Sequence, residues 1–236
     1  MKLITELVTL AVALVPTIAH AQDEGAAEVI VSAMRRDAND YSADMPAVGL
    51  RRTADFAIQE VTIAGDTRDA GQRADEIYAM LANAIAVASR AGVQLAYGDR
   101  VVQAVTLKNY RDLSLERDSR PDSQRLKFLV KAPLTDGTEA ASAQARINAF
   151  VKSVKPVGRA LMEANGDLTL SVVAPDQYRG AIADAIAMDA RTLSARFGPD
   201  YAVEVEGLNR PVEWARASLS EVLLYVPYKL VIVPKR

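Results

Sequence analysis

Three amphipathic helical patterns alternate with runs of β-branched residues, and this alternation constrains the fold of the 236-residue chain more than any other feature. Apolar residues recur with helical spacing in three segments, 67–91, 139–154 and 177–197. Extended patterns lie before, between and after them, at 48–63, 93–107, 126–130, 168–173 and 202–205. We therefore predict an α+β (mixed α/β) protein with long, largely antiparallel strands and three amphipathic helices packed on the sheet.

The chain ends in a β-rich run, Leu219 to Val233, that is apolar on both faces. One face carries Val222, Leu224, Val226, Tyr228, Leu230 and Ile232, and the other carries Leu223, Tyr225, Val231 and Val233. Because a sheet with one wet face needs only one apolar set, the second set predicts self-association, with burial inside the chain as the alternative. Pro227 cannot donate to a ladder, so the strand is predicted to lie at an edge or to bend there.

Local patterns give three further predictions. The apolar residues of the first long strand change parity between Ile58 and Val61, which predicts a bulge near residues 59–60. Asp66 or Thr67 is the predicted cap of the first helix. Both signs of charge alternate over 108–124, a pattern typical of a solvated hairpin end rather than an anion site.

Residues 1–21 have the pattern of a cleavable secretory signal. A basic start at Lys2 precedes an apolar run from Leu7 to Val15, and Ala19-His20-Ala21 is an A-x-A cleavage site. The run is far shorter than the roughly 20 residues that a membrane span needs. We predict export to the periplasm with cleavage after Ala21, no transmembrane span, and a mature chain with an N-terminal extension (22–46) that holds one short strand.

The chain has one histidine, His20, and no cysteine, so the predicted mature protein has neither. This removes the side chains of most triads, thiol nucleophiles and zinc or haem sites. Nucleophile-elbow, phosphate-loop and calcium-loop motifs are absent as well. We predict no catalytic residue, no cofactor and no metal, and the net charge of −2 does not favour a nucleic-acid partner. A hydrolase built on two of the 30 acidic residues stays an alternative.

Residues 28–33, Glu-Val-Ile-Val-Ser-Ala, resemble the N-terminal box of TonB-dependent outer-membrane transporters. In those proteins the box pairs as a strand with the energy-transducing partner. Such receptors also need a plug domain and a barrel of about 22 strands, for which this chain is too short. An ordinary first strand explains the same residues equally well, and an accessory protein that engages TonB through 28–33 is the alternative.

The wider pattern, residues 47–234, resembles the SIMPL-domain family of bacterial periplasmic and outer-membrane-associated proteins. The resemblance is carried by alanine-rich helices that close on glycine, at Ala91-Gly92 and Phe197-Gly198, and by the last strand from Val226 to Leu230. The chain departs from the family at its first strand, where only Gly49 stands for a G-x-G-like pattern, and at Gly198-Pro199, where the family has a G-x-x-x-G-like turn.

This resemblance implies an α/β domain, a place in the cell envelope with peripheral outer-membrane association, a link to stress tolerance, and homo-oligomeric rings in some members. The family has no established catalytic residues, so it assigns no site to this chain. Together with the missing histidine and cysteine, it favours an exported, non-enzymatic envelope protein that acts through binding or self-assembly.

Overall fold

The computed structural model describes residues 28–31, 46–99, 101–118, 120–135 and 139–235. The segment predicted to be a signal peptide lies outside these residues. Three α-helices are described, α1 (Ala70–Ala88), α2 (Ala140–Ser153) and α3 (Arg179–Phe197), and they confirm the three predicted helical segments. The protein is a mixed α+β protein with mostly antiparallel strands, as predicted.

Within the described residues the strands form three sheets. In chain order they are β1 (Glu28–Val31), β2 (Leu50–Thr53), β3 (Phe56–Gly65), β4 (Gln94–Tyr97), β5 (Gln103–Ala104), β6 (Glu116–Arg117), β7 (Gln124–Pro133), β8 (Leu161–Val173), β9 (Tyr201–Glu206), β10 (Glu213–Arg216), β11 (Glu221–Tyr225) and β12 (Lys229–Pro234). The main sheet has the order β1-β8-β3-β7-β4-β5, with β6 paired to one end of β7. β10, β11 and β2 form a second sheet, and β12 pairs with β9.

The main sheet curls until its first strand meets the other end of the sheet. Val29 of β1 forms an antiparallel bridge with Val101, just before β5. The backbone N–H of Val102 also donates a hydrogen bond to the carbonyl oxygen of Glu28, at 3.3 Å. The sheet therefore has an inner face, enclosed where β1 closes it, and an outer face.

Helices α1 and α2 cover the outer face and build the core with it. Ile77 and Leu81 of α1 and Phe150 of α2 pack with Val61 of β3 and Phe128 of β7, and all five are at most 2% exposed. Each side chain of this size contributes about 1.5–3 kcal/mol when it is fully buried. This packing explains why helical spacing marked α1 and α2 so clearly in the sequence.

The parity change of β3 has a different origin from the predicted bulge. Ile58 is fully buried on the inner face, whereas Val61 and Ile63 are fully buried on the outer face. β3 stays in register with β7 along its whole length. Against β8 the register does shift between Ile58 and Glu60, but the extra residues are in β8. The irregularity thus lies at the predicted position, but the extra residues belong to β8 and not to β3. The parity of the apolar residues in β3 changes because different parts of the strand are buried on different faces.

The predicted cap of α1 is wrong by a few residues. Asp69 caps the helix, because its side chain accepts a hydrogen bond from the backbone N–H of Gln72 at 2.8 Å. Asp66 and Thr67 have other partners, the guanidinium of Arg159 and a buried carboxylate. Long-range contacts therefore take up the two side chains that local spacing had assigned to the cap.

The predicted bend at Pro227 is confirmed, since the C-terminal β-rich run is divided there between two sheets. Leu223 and Tyr225 lie on β11, whereas Val231 and Val233 lie on β12. The four residues predicted to mediate self-association thus do not share one strand. Tyr225 is 9% exposed, and the other three are half-buried.

Among the helices in the described residues, none has the length and apolarity that crossing a membrane requires.

Candidate functional site

An open groove of about 530 Å³ lies on the inner face of the main sheet. Side chains point alternately to the two faces of a strand, so alternate residues of β3, β7 and β8 form its floor. Thr62 of β3 pairs with both Lys127 of β7 and Glu163 of β8, and these three side chains form a row across the sheet. Glu60 and Asn165 form part of the next row. The floor is consequently polar and carries both signs of charge.

A bidentate ion pair closes one end of the groove. The Nε and Nη2 atoms of Arg159 donate to the two carboxylate oxygens of Asp66, at 2.6 and 2.9 Å. Arg120 lies 3.9 Å from the same carboxylate. The hydrogen bond from Arg159 holds the pKa of Asp66 below its ordinary value, and the same bond raises the pKa of Arg159. Because Arg159 is largely exposed, the pair orients the groove wall more than it stabilises the fold.

A buried carboxylate holds the backbone of Arg159 in place. Glu76 of α1 is 8% exposed, and its Oε2 accepts hydrogen bonds from Thr67 Oγ1 at 2.6 Å and from the Arg159 backbone N–H at 3.0 Å. Gln72 donates to Oε1 at 2.9 Å. These hydrogen bonds, first that from Thr67, hold the pKa of Glu76 below its ordinary value. Gly158 has φ +55°, and a Cβ there would overlap the Glu76 carboxylate.

The basic side chains of β7 also have carboxylate partners. Arg125 lies 3.3 Å from Glu116 of β6 and 3.7 Å from Asp118, and Lys127 lies 3.5 Å from Glu116. The predicted solvated hairpin end is thus the β6–β7 hairpin, whose charged residues also form one wall of the groove. Each of the four basic groups that line the groove is already paired with a carboxylate.

Glu60 and Glu163 are the exception among the acidic residues of the groove. Within the described part of the chain neither side chain has an ion pair or a hydrogen bond, and both are exposed. The register makes them diagonal neighbours on β3 and β8, which separates such residues by roughly 7–8 Å. Between them, Asn165 donates a hydrogen bond to the hydroxyl of Thr62 at 2.5 Å. The lining thus has four acidic and four basic side chains, and the two that have no ion pair are both acidic.

A second polar cluster lies inside the enclosed end of the main sheet. Glu28 Oε1 accepts a hydrogen bond from Ser171 Oγ at 2.5 Å, and Oε2 forms an ion pair with Lys131 Nζ. That ammonium also lies 4.0 Å from the centre of the Phe56 ring. The side chains of Glu28 and Lys131 are 10% and 7% exposed, and Ser171 is fully buried. The carboxylate therefore satisfies two buried groups at once.

The same cluster anchors the first of the residues that resemble a TonB box, since Glu28 belongs to both. Glu28–Val31 form β1, which pairs along its whole length with β8, from Glu28↔Val173 to Val31↔Leu170. Residues 32 and 33 lie outside the described residues. Engagement of TonB through this segment would require β1 to leave β8 and Glu28 to leave its buried partners.

The sequence alone predicted neither the groove nor the buried cluster of Glu28, Lys131 and Ser171. For the buried cluster, however, the sequence does contain one indication. Lys131 lies between Val130 and Ala132, and Ser171 lies between Leu170 and Val172, so both positions are marked by a polar residue with apolar neighbours on each side. The groove gave no such signal, because its floor is made of ordinary polar residues at alternate positions of three separate strands. In the described residues, no group of three or more acidic side chains or histidines could hold a metal ion.

The chain is thus an α+β protein with a polar groove on the inner face of a curled sheet, and the acidic and basic side chains that line this groove are equal in number. Comparison with protein-family models, with curated proteins and with solved structures finds no match to this chain. Membership of the SIMPL-domain family therefore stays a prediction from the sequence.

Proposed function

We propose that the protein is exported to the cell envelope and acts there without catalysis, by binding a small polar ligand that carries a positive charge. The single observation that carries this proposal is the charge distribution of the groove. Each of its four basic groups forms an ion pair with a carboxylate, whereas the side chains of Glu60 and Glu163 have no partner in the described residues. Support for the location is the signal-like pattern of residues 1–21 and the resemblance to envelope proteins.

The groove favours a cation over an anion for a physical reason. An anion would have to displace Asp66 from Arg159, or Glu116 from Arg125 and Lys127, and thereby break ion pairs that already exist. An ammonium group would only have to approach two carboxylates that are exposed and unpaired. The volume of about 530 Å³ lies within the usual range of small-molecule sites.

Isothermal titration calorimetry with spermidine, a flexible organic cation, tests this proposal, with inorganic phosphate as the anionic probe. We expect saturable binding of spermidine, weaker binding by Glu60→Gln and Glu163→Gln, and no saturable binding of phosphate. Asp184→Asn is the matched control, because Asp184 is an exposed acid on α3 away from the groove. Binding of phosphate in preference to spermidine, or equal spermidine affinity in all three variants, would refute the assignment.

A hydrolase that uses Glu60 and Glu163 is a second candidate, because the groove brings two unpaired acids close together. Hydrolases of this kind keep one carboxyl group protonated in a desolvated environment. Glu60 and Glu163 are both exposed, and this favours binding over catalysis. A screen of glycoside and ester substrates decides between the two. If the protein turns over a substrate and either Glu60→Gln or Glu163→Gln abolishes that turnover, the protein is a hydrolase and the binding proposal is wrong.

Self-assembly is a second mode of action that the sequence favours. Val231 is half-buried on β12, and β12 pairs on one side only among the described strands. Tyr225 is nearly buried, so Tyr225→Asp would perturb the fold itself, and Val231→Asp is the cleaner variant. Light scattering coupled to size exclusion measures the result. An oligomer that Val231→Asp dissociates supports this mode, whereas a monomer at every concentration rules it out.

A further inference from the structure

The two unpaired carboxylates of the groove lie far from the end at which Arg120 lies. Arg120 is beside Asp66, which follows the last residue of β3. Glu163 lies in the row of Thr62, four residues before Asp66 and hence about 13 Å from it along the strand. Glu60 is in the next row, still farther from Asp66. The groove therefore has carboxylates without an ion pair at one end and the guanidinium of Arg120 at the other.

Arg120 is the least engaged of the basic side chains in the groove. Among the described residues, the four basic side chains share only three carboxylates, those of Asp66, Glu116 and Asp118. Both oxygens of Asp66 already accept hydrogen bonds from Arg159. Arg120 lies 3.9 Å from this carboxylate, its side chain is 75% exposed, and its guanidinium donates no hydrogen bond within the described part of the chain. Its N–H donors can therefore bind a carboxylate without the loss of an existing hydrogen bond.

A turn holds the backbone of Arg120 at the rim of the groove. The hydroxyl of the buried Ser123 accepts a hydrogen bond from the backbone N–H of Arg120 at 3.2 Å and donates one to its carbonyl oxygen at 3.1 Å. The backbone N–H of Ser123 donates to the same carbonyl oxygen, also at 3.1 Å. The position from which the guanidinium extends is therefore fixed before a ligand binds.

One apolar side chain lies between the two ends of the groove. Leu161 pairs with Ala64, in the row between Thr62 and Asp66, and it is 56% exposed. An apolar part of a ligand would remove this side chain from water, which is favourable. From one end to the other, the groove thus presents two carboxylates, an apolar side chain and a guanidinium.

We propose that the ligand of the groove is a zwitterion of about the length of a tripeptide, with its ammonium group at Glu60 and Glu163 and its carboxylate at Arg120. This inference rests on the proposed function, because the ammonium end uses the same two carboxylates. It adds a second charged end, which a purely cationic ligand lacks. A tripeptide spans about 10 Å when extended, and the long side chains of Arg120 and Glu163 are able to cover the remaining distance.

Calorimetry with the peptide Ala-Leu-Ala and with its C-terminal amide tests the inference, because only the free acid has a carboxylate for Arg120. We expect wild type to bind the free acid about tenfold more tightly than the amide. Arg120→Gln should bind the two peptides equally. Arg117→Gln is the matched control, because Arg117 is an exposed residue of β6 that does not line the groove. This control should keep the preference of wild type for the free acid.

The outcomes separate this inference from the function on which it rests. If spermidine binds but wild type does not prefer the free acid, the zwitterion is wrong and the cation site remains. If Arg120→Gln keeps the preference, Arg120 does not bind the carboxylate and the inference is overturned as well. If neither spermidine nor Ala-Leu-Ala binds, both the inference and the proposed function are refuted.

A second probe identifies the source of the zwitterion. 8-Aminooctanoate has both charged ends and an apolar middle but no peptide groups. Tighter binding of Ala-Leu-Ala would support a peptide as the source, whereas tighter binding of 8-aminooctanoate would support an amino acid with its two charges at opposite ends. With either probe, loss of the carboxylate contact in Arg120→Gln should weaken binding about tenfold, and an unchanged affinity for both would overturn the inference.

Discussion

Glu28 and Lys131 form a buried ion pair between β1 and β7, two strands that β8 and β3 separate in the main sheet. In a flat sheet these side chains could not touch, because neighbouring strands lie about 4.8 Å apart. Their contact is therefore possible only because the sheet curls strongly at its closed end. It also ties the N-terminal strand to a residue that is 103 positions away in the sequence.

Removal of the ammonium from this pair should destabilise the fold strongly. We expect Lys131→Met to cost about 3–5 kcal/mol, because Glu28 would stay buried without a counter-charge. Lys127→Met on the same strand is the control. The side chains of its ion pair with Glu116 are 37% and 47% exposed, so this substitution should cost no more than about 1 kcal/mol. Urea unfolding measures both. Equal unfolding free energies for the two variants would show that the Glu28–Lys131 pair does not support the fold.

Two glycines with similar backbone angles provide a matched test of the Glu76 contact. Gly158 and Gly166 have φ +55° and +67°, but only at Gly158 would a Cβ meet the Glu76 carboxylate. Gly166→Ala should cost about 1–2 kcal/mol through backbone strain alone. Gly158→Ala should cost more, because three hydrogen bonds prevent Glu76 from moving aside. Thermal unfolding of both variants checks the order, and a reversed order would contradict the described packing.

Glu76 should make stability depend on pH in a defined direction. Its hydrogen bonds lower its folded pKa below the unfolded value of about 4.5, so its contribution is complete above that pH. The contribution is lost as the pH falls through the lower, folded pKa. Glu76→Gln should therefore destabilise the protein at neutral pH and much less in acid. Denaturant unfolding over an acidic pH series measures the difference. If the difference in unfolding free energy between wild type and Glu76→Gln does not become smaller in acid, this assignment is contradicted.

Export predicts a defined N-terminus. The A-x-A pattern at Ala19-His20-Ala21 predicts that protein from a periplasmic extract begins at Gln22. N-terminal sequencing of that fraction gives the answer. Protein that retains Met1 and accumulates in the cytosol would refute the predicted location.

The sequence predicted what depends on local periodicity and missed what depends on register. The apolar spacing that includes Ile77 and Leu81 identified α1, because those side chains pack on one face of the sheet. Asp66 was assigned to a cap, whereas Glu76 fixes the backbone that brings Arg159 to it. Spacing within a segment contains no information about such contacts.

The groove was missed for the same reason. Thr62, Lys127 and Glu163 meet only because β3 pairs with β7 on one side and with β8 on the other. Each is an unremarkable polar residue in its own strand, and a single sequence does not reveal which residues of other strands lie beside it. β1 was predicted as one short strand, but its place beside β8 depends on the buried Glu28.

Spermidine affinity of the Glu60→Gln/Glu163→Gln double variant, measured by calorimetry beside wild type and Asp184→Asn, tests the proposed binding function most directly. Loss of two charge-assisted contacts should weaken binding at least about tenfold, while Asp184→Asn binds like wild type. Circular dichroism should show all three proteins equally folded, since Glu60 and Glu163 are exposed. A folded double variant that binds spermidine as tightly as wild type would contradict the assignment of the groove as a site for a cationic ligand.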